Sequence, residues 1–195
     1  MSTPPRRLCL VLVAVLALTG TVAGCGSEDK PKSAPSASPS PSPSVPPGLD
    51  TTPPVRPDEA RTKQSAVEYG EYFVKLVEHS VRTRNARPVQ AEAFDQAKCS
   101  VCRKLDEFVQ ELRKDRVWEV GPDLELGTFR ATARPGGFTV AGPFRYPDGD
   151  FVTVEGKKKD DSVGGPYRFA ADLRWDEDGS RWRVIDYTFA PKEQR

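Results

Sequence analysis

The 195-residue sequence predicts an α+β domain in which N-terminal helices pack on one face of a curved, cone-like antiparallel β-sheet. Apolar residues recur every three or four positions between residues 66 and 112, a spacing typical of amphipathic helices. From residue 117 onward apolar and polar residues alternate, as they do in half-buried strands. Turn signals rich in glycine and proline separate these alternating segments. Helices followed by a series of strands therefore predict the α+β class.

An export signal is predicted at the N-terminus of the chain. Arg6 and Arg7 precede an apolar run over residues 8–18, and small residues follow as far as Gly24. The run is shorter than the roughly 20 apolar residues that a membrane-spanning helix needs. Residues 1–24 are therefore interpreted as a signal peptide. The arginine pair leaves open whether export follows the general or the twin-arginine route.

The four residues "VAGC", 22–25, resemble the lipobox of bacterial lipoproteins, in which cleavage exposes the cysteine as the new N-terminus. The resemblance implies that Cys25 carries a diacylglycerol and holds the mature protein at the outer face of the cell membrane. Two acyl chains anchor a protein stably, whereas one binds only marginally. Ordinary signal-peptide cleavage beside an incidental cysteine is the alternative.

Residues 25–58 are predicted to be a disordered tether, because proline and serine dominate this stretch and few side chains could pack. At about 3.1 Å per residue, its proline-rich part reaches on the order of 80 Å when extended. We therefore expect a chain that begins at Asp58 to be as stable as one that begins at Gly26. A proline-rich segment that binds a partner is the alternative.

Residues 59–195 are predicted to form a single domain that opens with three helices. The first begins after Asp58 and ends near Asn85, and its apolar stripe spans both sides of Tyr69. The second is short and begins at Pro88, a residue that suits the first turn of a helix. The third covers residues 99–115. No strand signal interrupts the three helices.

The remaining chain predicts six strands, punctuated by turn signals. They cover residues 117–120, 124–133, 138–146, 151–157, 167–175 and 182–189. A run of three lysines at 157–159 is followed at once by two aspartates. We interpret this charged stretch as the solvated tip of a hairpin.

The order of helices and strands, ending in "WDEDGSRWRVIDYTF", is similar to the cone-shaped domains of the nuclear transport factor 2 and cystatin-like class. Together with the lipobox, the tether and the "CSVC" motif, it resembles a family of secreted lipoproteins from high-GC Gram-positive bacteria. The resemblance implies a long helix in the concavity of a bent sheet, with a pocket at the mouth of the cone. The possible pocket lining is Tyr69, Tyr72, Phe73, Trp118 and Trp175. Packing in the core is the alternative for each of these residues.

The cysteines of "CSVC", Cys99 and Cys102, are predicted to form a disulfide. Cys9 is lost with the signal peptide and Cys25 is lipidated, so two thiols remain in an oxidising compartment. A CxxC pair at a helix N-terminus also occurs in thiol-disulfide oxidoreductases. Those enzymes place the motif after a strand, whereas helices precede it here.

Composition and motifs exclude several classes of function. Lysine and arginine number 29 against 28 acidic residues, and no basic field that would bind nucleic acid is present. The sequence contains no catalytic triad order, no phosphate-binding glycine loop and no clustered metal ligands. We therefore predict no catalytic residue, cofactor or metal. His79, Asp172 and Asp186 are interpreted as surface residues, the two aspartates as partners of arginines such as Arg174 and Arg183.

The sequence thus predicts a membrane-anchored, extracytoplasmic lipoprotein with a non-catalytic binding domain. Its partners are the membrane, through the N-terminal lipid, and a small molecule, a cell-wall polymer or an envelope protein. The alternative is an extracytoplasmic enzyme that uses either the cone pocket or the CxxC pair.

Overall fold

The computed structural model describes residues 45–191, and these form three helices followed by eight strands. The helices are α1 (Lys63–Arg82), α2 (Arg87–Glu92) and α3 (Ser100–Asp115). The strands are β1 (Trp118–Val120), β2 (Glu125–Leu126), β3 (Arg130–Arg134), β4 (Gly137–Tyr146), β5 (Gly149–Val152), β6 (Lys158–Ser162), β7 (Gly165–Asp176) and β8 (Arg181–Pro191). This order confirms the predicted α+β class. The predicted signal peptide, Cys25 and most of the tether lie outside the described residues.

The strands form two antiparallel sheets. In the larger sheet the order is β2-β4-β7-β8, and β3 pairs with the same edge of β4 as β2 does. The smaller sheet has the order β1-β5-β6. Helix α1 contacts strands of both sheets, and α3 contacts β8. The helices therefore pack on strands that come later in the chain, as the sequence predicts.

Two strand predictions need correction. The predicted strand 124–133 is two short strands, β2 and β3, and the break lies beside Pro143 of β4, whose carbonyl accepts from Gly127 N at 2.9 Å. Proline has no N–H to donate, so the ladder is interrupted there.

The lysine run is not a hairpin tip, because Lys158 and Lys159 lie in β6 and the turn comes before them. Strand β6 is an edge strand of charged residues without apolar alternation, which is why the pattern missed it.

Helix α1 lies very close to the larger sheet. The Thr62 hydroxyl caps its N-terminus by accepting from Ser65 N at 3.1 Å, and the left-handed backbone at Arg84 follows its end. A Cβ on Gly70 would lie only 2.6 Å from Val140 Cγ1 of β4. Glycine at this position is what allows the helix backbone to approach the sheet so closely.

The disulfide between Cys99 and Cys102 is present, as predicted. It links the residue before α3 to the first turn of that helix, over a Cα–Cα distance of 5.3 Å. Both cysteines are buried, at 1% and 3% exposure. The carboxylate of Asp186 and the hydroxyl of Ser100 lie beside the bridge, 3.3 Å from each other.

Removing the disulfide is expected to weaken the fold without abolishing it. Closing a loop this short contributes about 2 kcal/mol in the chain-entropy model. We expect the variant Cys99→Ala/Cys102→Ala to lose about that free energy of unfolding in urea, and mass spectrometry of the protein purified without reductant to find both thiols oxidised. Free thiols in that protein, or unchanged stability of the double variant, would contradict this expectation.

The segment before α1 has neither helix nor strand from residue 45 onward, but its end contacts the domain. Arg56, which the sequence assigns to the tether, forms ion pairs with Glu92 and Glu59. Its Nη2 donates to the carbonyl of Trp182 at 3.1 Å. Its guanidinium also lies over the ring of Tyr69, 5.2 Å from the centroid. We call Arg56 with these partners the arginine clasp.

Candidate functional site

A cavity of about 490 Å³ lies among α1, α3 and strands of both sheets. Small-molecule sites in proteins are commonly about 300–1,000 Å³, so the volume suits a small ligand. The residues that line it come from helices, strands and loops of both halves of the domain: Val74, Val77, Glu78, Val81, Val101, Lys104, Leu105, Phe108, Glu119, Leu124, Phe144, Tyr146, Phe151, Ser162, Val163, Tyr167, Tyr187 and Phe189.

Most of the lining is apolar, and aromatic packing holds one wall of it in place. The ring of Phe144 stacks on Tyr167 at 5.5 Å and meets Phe189 edge-on at 5.4 Å. Offset and edge-on contacts of this kind favour one arrangement of the rings. This wall of the cavity is therefore an ordered apolar surface.

The exposed members of the lining mark the side on which the cavity opens. Phe108 of α3 is 40% exposed and Val163, after β6, is 79% exposed. Lys104, one turn before Phe108, is exposed as well. Large apolar side chains in water beside an apolar cavity are the usual features of a ligand entrance.

Glu119 of β1 is a charged group inside this lining, with only 7% of its surface exposed. Its carboxylate accepts a hydrogen bond from the Tyr146 hydroxyl at 2.8 Å and another from the Ser162 hydroxyl. Burial, reinforced by the nearby charge of Glu119, raises the pKa of Tyr146 well above its ordinary value, so the phenol stays a donor. Within residues 45–191 no lysine, arginine or histidine forms an ion pair with Glu119.

The second carboxylate in the lining, Glu78 of α1, is compensated by the protein itself. It lies 2.8 Å from the guanidinium of Arg82 and accepts from Leu124 N at 3.1 Å. Burial raises the pKa of Glu78, and the charge of Arg82 opposes that rise. Arg82 also pairs with Asp123 at 2.8 Å, so the carboxylate of Glu78 has a cation from the protein itself.

Tyr187 of β8 is another lining residue, and its hydroxyl is an unsatisfied polar atom buried in the protein. The residue is 2% exposed, and its hydroxyl has no hydrogen-bond partner among the described residues. Burial raises the pKa of Tyr187, and Asp186 adds to the rise. A buried hydroxyl without a partner is destabilising, unless a ligand or water supplies one.

None of the five residues predicted to line a pocket lies in the lining of this cavity. Tyr69 and Phe73 are fully buried in the core, and the hydroxyls of Tyr69 and Tyr72 donate to Glu92. Trp118 lies under the guanidinium of Arg84, 3.4 Å from its ring centroid, and Trp175 packs edge-on against the core residue Trp182. These aromatics therefore take the alternative role of core packing.

The three polar candidates from the sequence also lie outside the lining. His79 is half-buried rather than on the surface, and burial lowers its pKa. Asp172 accepts from the Thr139 hydroxyl at 2.5 Å and pairs with Arg134, not with Arg174. The tilt and register of the strands, which the sequence does not reveal, decide which arginine reaches it.

Asp186 likewise lacks its predicted partner. Its carboxylate accepts from the Ser100 hydroxyl, whereas Arg183 pairs with Asp176 and donates to the Ala93 carbonyl at 2.6 Å. Asp186 therefore connects β8 to the start of α3 rather than facing solvent.

The signal that could have revealed the site is the short strand "VWEV" at 117–120. Valine and tryptophan surround Glu119, and a carboxylate among such neighbours in a buried strand is unusual. The period-two pattern places Val117 and Glu119 on one face, so an inward carboxylate could have been inferred there.

The CxxC pair is poorly placed for thiol-disulfide exchange. Exchange requires a thiolate to reach one sulfur of the bridge, and both cysteines are almost fully buried. Within residues 45–191 no histidine, cysteine and carboxylate side chains cluster as they would around a metal ion. None of the described helices is both long enough and apolar enough to cross a membrane.

Comparison with known proteins finds similar solved structures and no family. No family model matches the sequence, and no curated protein matches it. Among solved structures, the chain is similar to the intermembrane space region of the chloroplast protein ARC6, with 11% sequence identity and a TM-score of 0.46. The match covers 65% of this chain and 97% of that one.

Proposed function

We propose that this protein is a lipid-anchored, extracytoplasmic binding protein, and that its domain takes up an apolar small molecule in the cavity. The observation that carries the proposal is the cavity itself, which has an apolar lining and exposed apolar residues on its open side. An open apolar cavity of this size leaves apolar side chains in contact with water. A ligand that fills the space would remove this surface from water, which is favourable.

Binding without catalysis is the simplest use of the polar groups in the lining. The lining offers carboxylates, an exposed lysine and the hydroxyls of tyrosine and serine. Glu78 and Glu119 already accept hydrogen bonds from neighbouring protein groups. Such groups orient a bound molecule by hydrogen bonding, as the few polar groups of ligand pockets commonly do.

The lipid anchor is supported by the resemblance of residues 22–25 to a lipobox. The disulfide agrees with an oxidising compartment outside the cytoplasm. The tether would then carry the domain away from the membrane surface, where a ligand could reach the cavity.

Labelled palmitate tests the anchor. We expect the wild-type protein, produced in a Gram-positive host, to incorporate the label into a membrane-associated form. The variant Cys25→Ala is expected to incorporate none, because the thioether can form only at that sulfur. Equal labelling of the two proteins would refute the anchor.

A blocked cavity tests the binding function. The neutral fluorescent probe N-phenyl-1-naphthylamine is expected to bind the full chain and to bind Val101→Trp at least about tenfold more weakly, because the indole occupies the cavity. Gln110→Trp is the control, since it adds the same side chain to an exposed position of α3 outside the lining. Circular dichroism checks that both variants fold. Equal probe binding by wild type and Val101→Trp would overturn the proposal.

A further inference from the structure

We infer that the ligand of the cavity is a cationic amphiphile, an apolar molecule with an ammonium or guanidinium group that pairs with Glu119. This inference rests on the proposed binding function and adds the chemical class of the ligand. It follows from the charges and hydrogen-bonding groups of the lining, considered one at a time.

Glu119 is the group that selects a cation. Its carboxylate is buried, and its two hydrogen-bond donors, Tyr146 and Ser162, are neutral hydroxyls. A buried negative charge without a positive partner is costly, and hydroxyl donors offset only part of that cost. Each carboxylate oxygen can accept more than one hydrogen bond, so Glu119 retains acceptor capacity for an additional donor. A ligand cation would supply both the missing charge and that donor.

The other charges of the lining do not reverse this preference. Glu78 already has Arg82 at 2.8 Å and contributes little net charge. Lys104 is exposed, so water and salt screen its charge far more than that of a buried group. A ligand carboxylate would meet Glu119 as a like charge and leave both anions uncompensated.

Three probes with the same alkyl chain test the inference by displacing N-phenyl-1-naphthylamine from the full chain. They are dodecylammonium, dodecanol and dodecanoate, used below their aggregation concentrations. The displacement measured with Val101→Trp, whose cavity is blocked, is subtracted from that measured with the wild type. This removes the contribution of probe binding to the apolar run over residues 8–18, which both proteins contain. We expect dodecylammonium to bind at least about tenfold more tightly than dodecanoate, with dodecanol between them.

Variants then assign the preference to Glu119. Glu119→Gln is expected to reduce the ratio between dodecylammonium and dodecanoate to within about threefold. Ser162→Ala removes a hydrogen-bond donor to the same carboxylate, and we expect it to preserve or increase the ratio between dodecylammonium and dodecanoate. This variant tests the role of the carboxylate if Glu119→Gln does not fold. Glu125→Gln removes the same charge from an exposed residue outside the lining and should change nothing.

The outcomes separate the two proposals. If no probe displaces N-phenyl-1-naphthylamine and Val101→Trp binds it like wild type, the binding function itself fails. If all three probes bind in the cavity but dodecanoate binds as tightly as dodecylammonium, the binding function stands and the cationic ligand is refuted. A cation preference that survives in Glu119→Gln refutes the role of Glu119.

Discussion

Replacing Trp182 with alanine is expected to lower the free energy of unfolding by about 3–5 kcal/mol, a large fraction of the stability of a typical domain. The side chain is fully buried in β8 and packs edge-on against Trp175 and Phe138. Its indole N–H also donates to the Ala60 carbonyl at 3.1 Å and to the Ser65 hydroxyl at 3.2 Å. Alanine would leave a large cavity and remove these hydrogen bonds.

Urea denaturation with two further variants separates the two effects. Trp182→Phe retains much of the ring but not the N–H, and is expected to lose about 1–2 kcal/mol. Ile185→Ala alters a half-exposed residue of the same strand and should cost clearly less than Trp182→Ala. A loss below about 1 kcal/mol for Trp182→Ala would show that the surrounding core does not depend on the indole.

Removing the arginine clasp is expected to produce the second large loss of stability. A chain that begins at Asp58 lacks Arg56. We expect its free energy of unfolding to be about 3 kcal/mol lower than that of a chain that begins at Pro54. The reason is Glu92, which is buried and also accepts from the hydroxyls of Tyr69 and Tyr72. Without Arg56 its carboxylate loses its cation, and a buried carboxylate left without its cation is strongly destabilising.

The proline and serine content of the segment predicts that a chain beginning at Asp58 is as stable as a longer one. The contacts of Arg56 lead us to expect a loss of stability instead. Thermal or urea unfolding of the two truncated chains measures it, and Arg56→Met in the full chain should reproduce the loss. Arg61→Met is the matched control, because Arg61 pairs with Glu177 where both side chains are more than half exposed. Exposed pairs of this kind contribute at most about 1 kcal/mol. Identical unfolding of the chains that begin at Pro54 and Asp58 would show that Arg56 contributes nothing.

Most helices and strands of the fold follow from local sequence patterns. Apolar residues every three or four positions indicate a helix, and alternating apolar residues indicate a strand. The apolar stripe around Tyr69 and the proline at 88 lie in α1 and α2 as expected, and most strands have the predicted position. Strand β6 does not follow from the apolar pattern, since its mostly charged residues pair with β5 at the edge of the smaller sheet. Backbone pairing of that kind leaves no trace in the apolar pattern.

The candidate site could be predicted only in outline. A pocket beside the long helix was expected, but which residues face it depends on how α1 is rotated against the sheet. Tyr69 and Phe73 face the core, while Val74, Val77 and Glu78 face the cavity. The partner of a charged residue is equally hidden from the sequence, as Arg56 illustrates, because its contact with Glu92 joins positions 36 apart in the chain.

The position of β8 also affects how the protein folds as it is synthesised. Arg56 reaches the backbone of Trp182, Ala93 forms a bridge with Val184, and Ser100 binds Asp186. Three early parts of the domain thus depend on β8, a strand that is synthesised after all of them. The helices must wait, without these partners, until β8 has emerged from the ribosome, and contacts so distant in sequence form slowly. A chaperone that binds the nascent chain would meet this domain as three helices and an incomplete sheet.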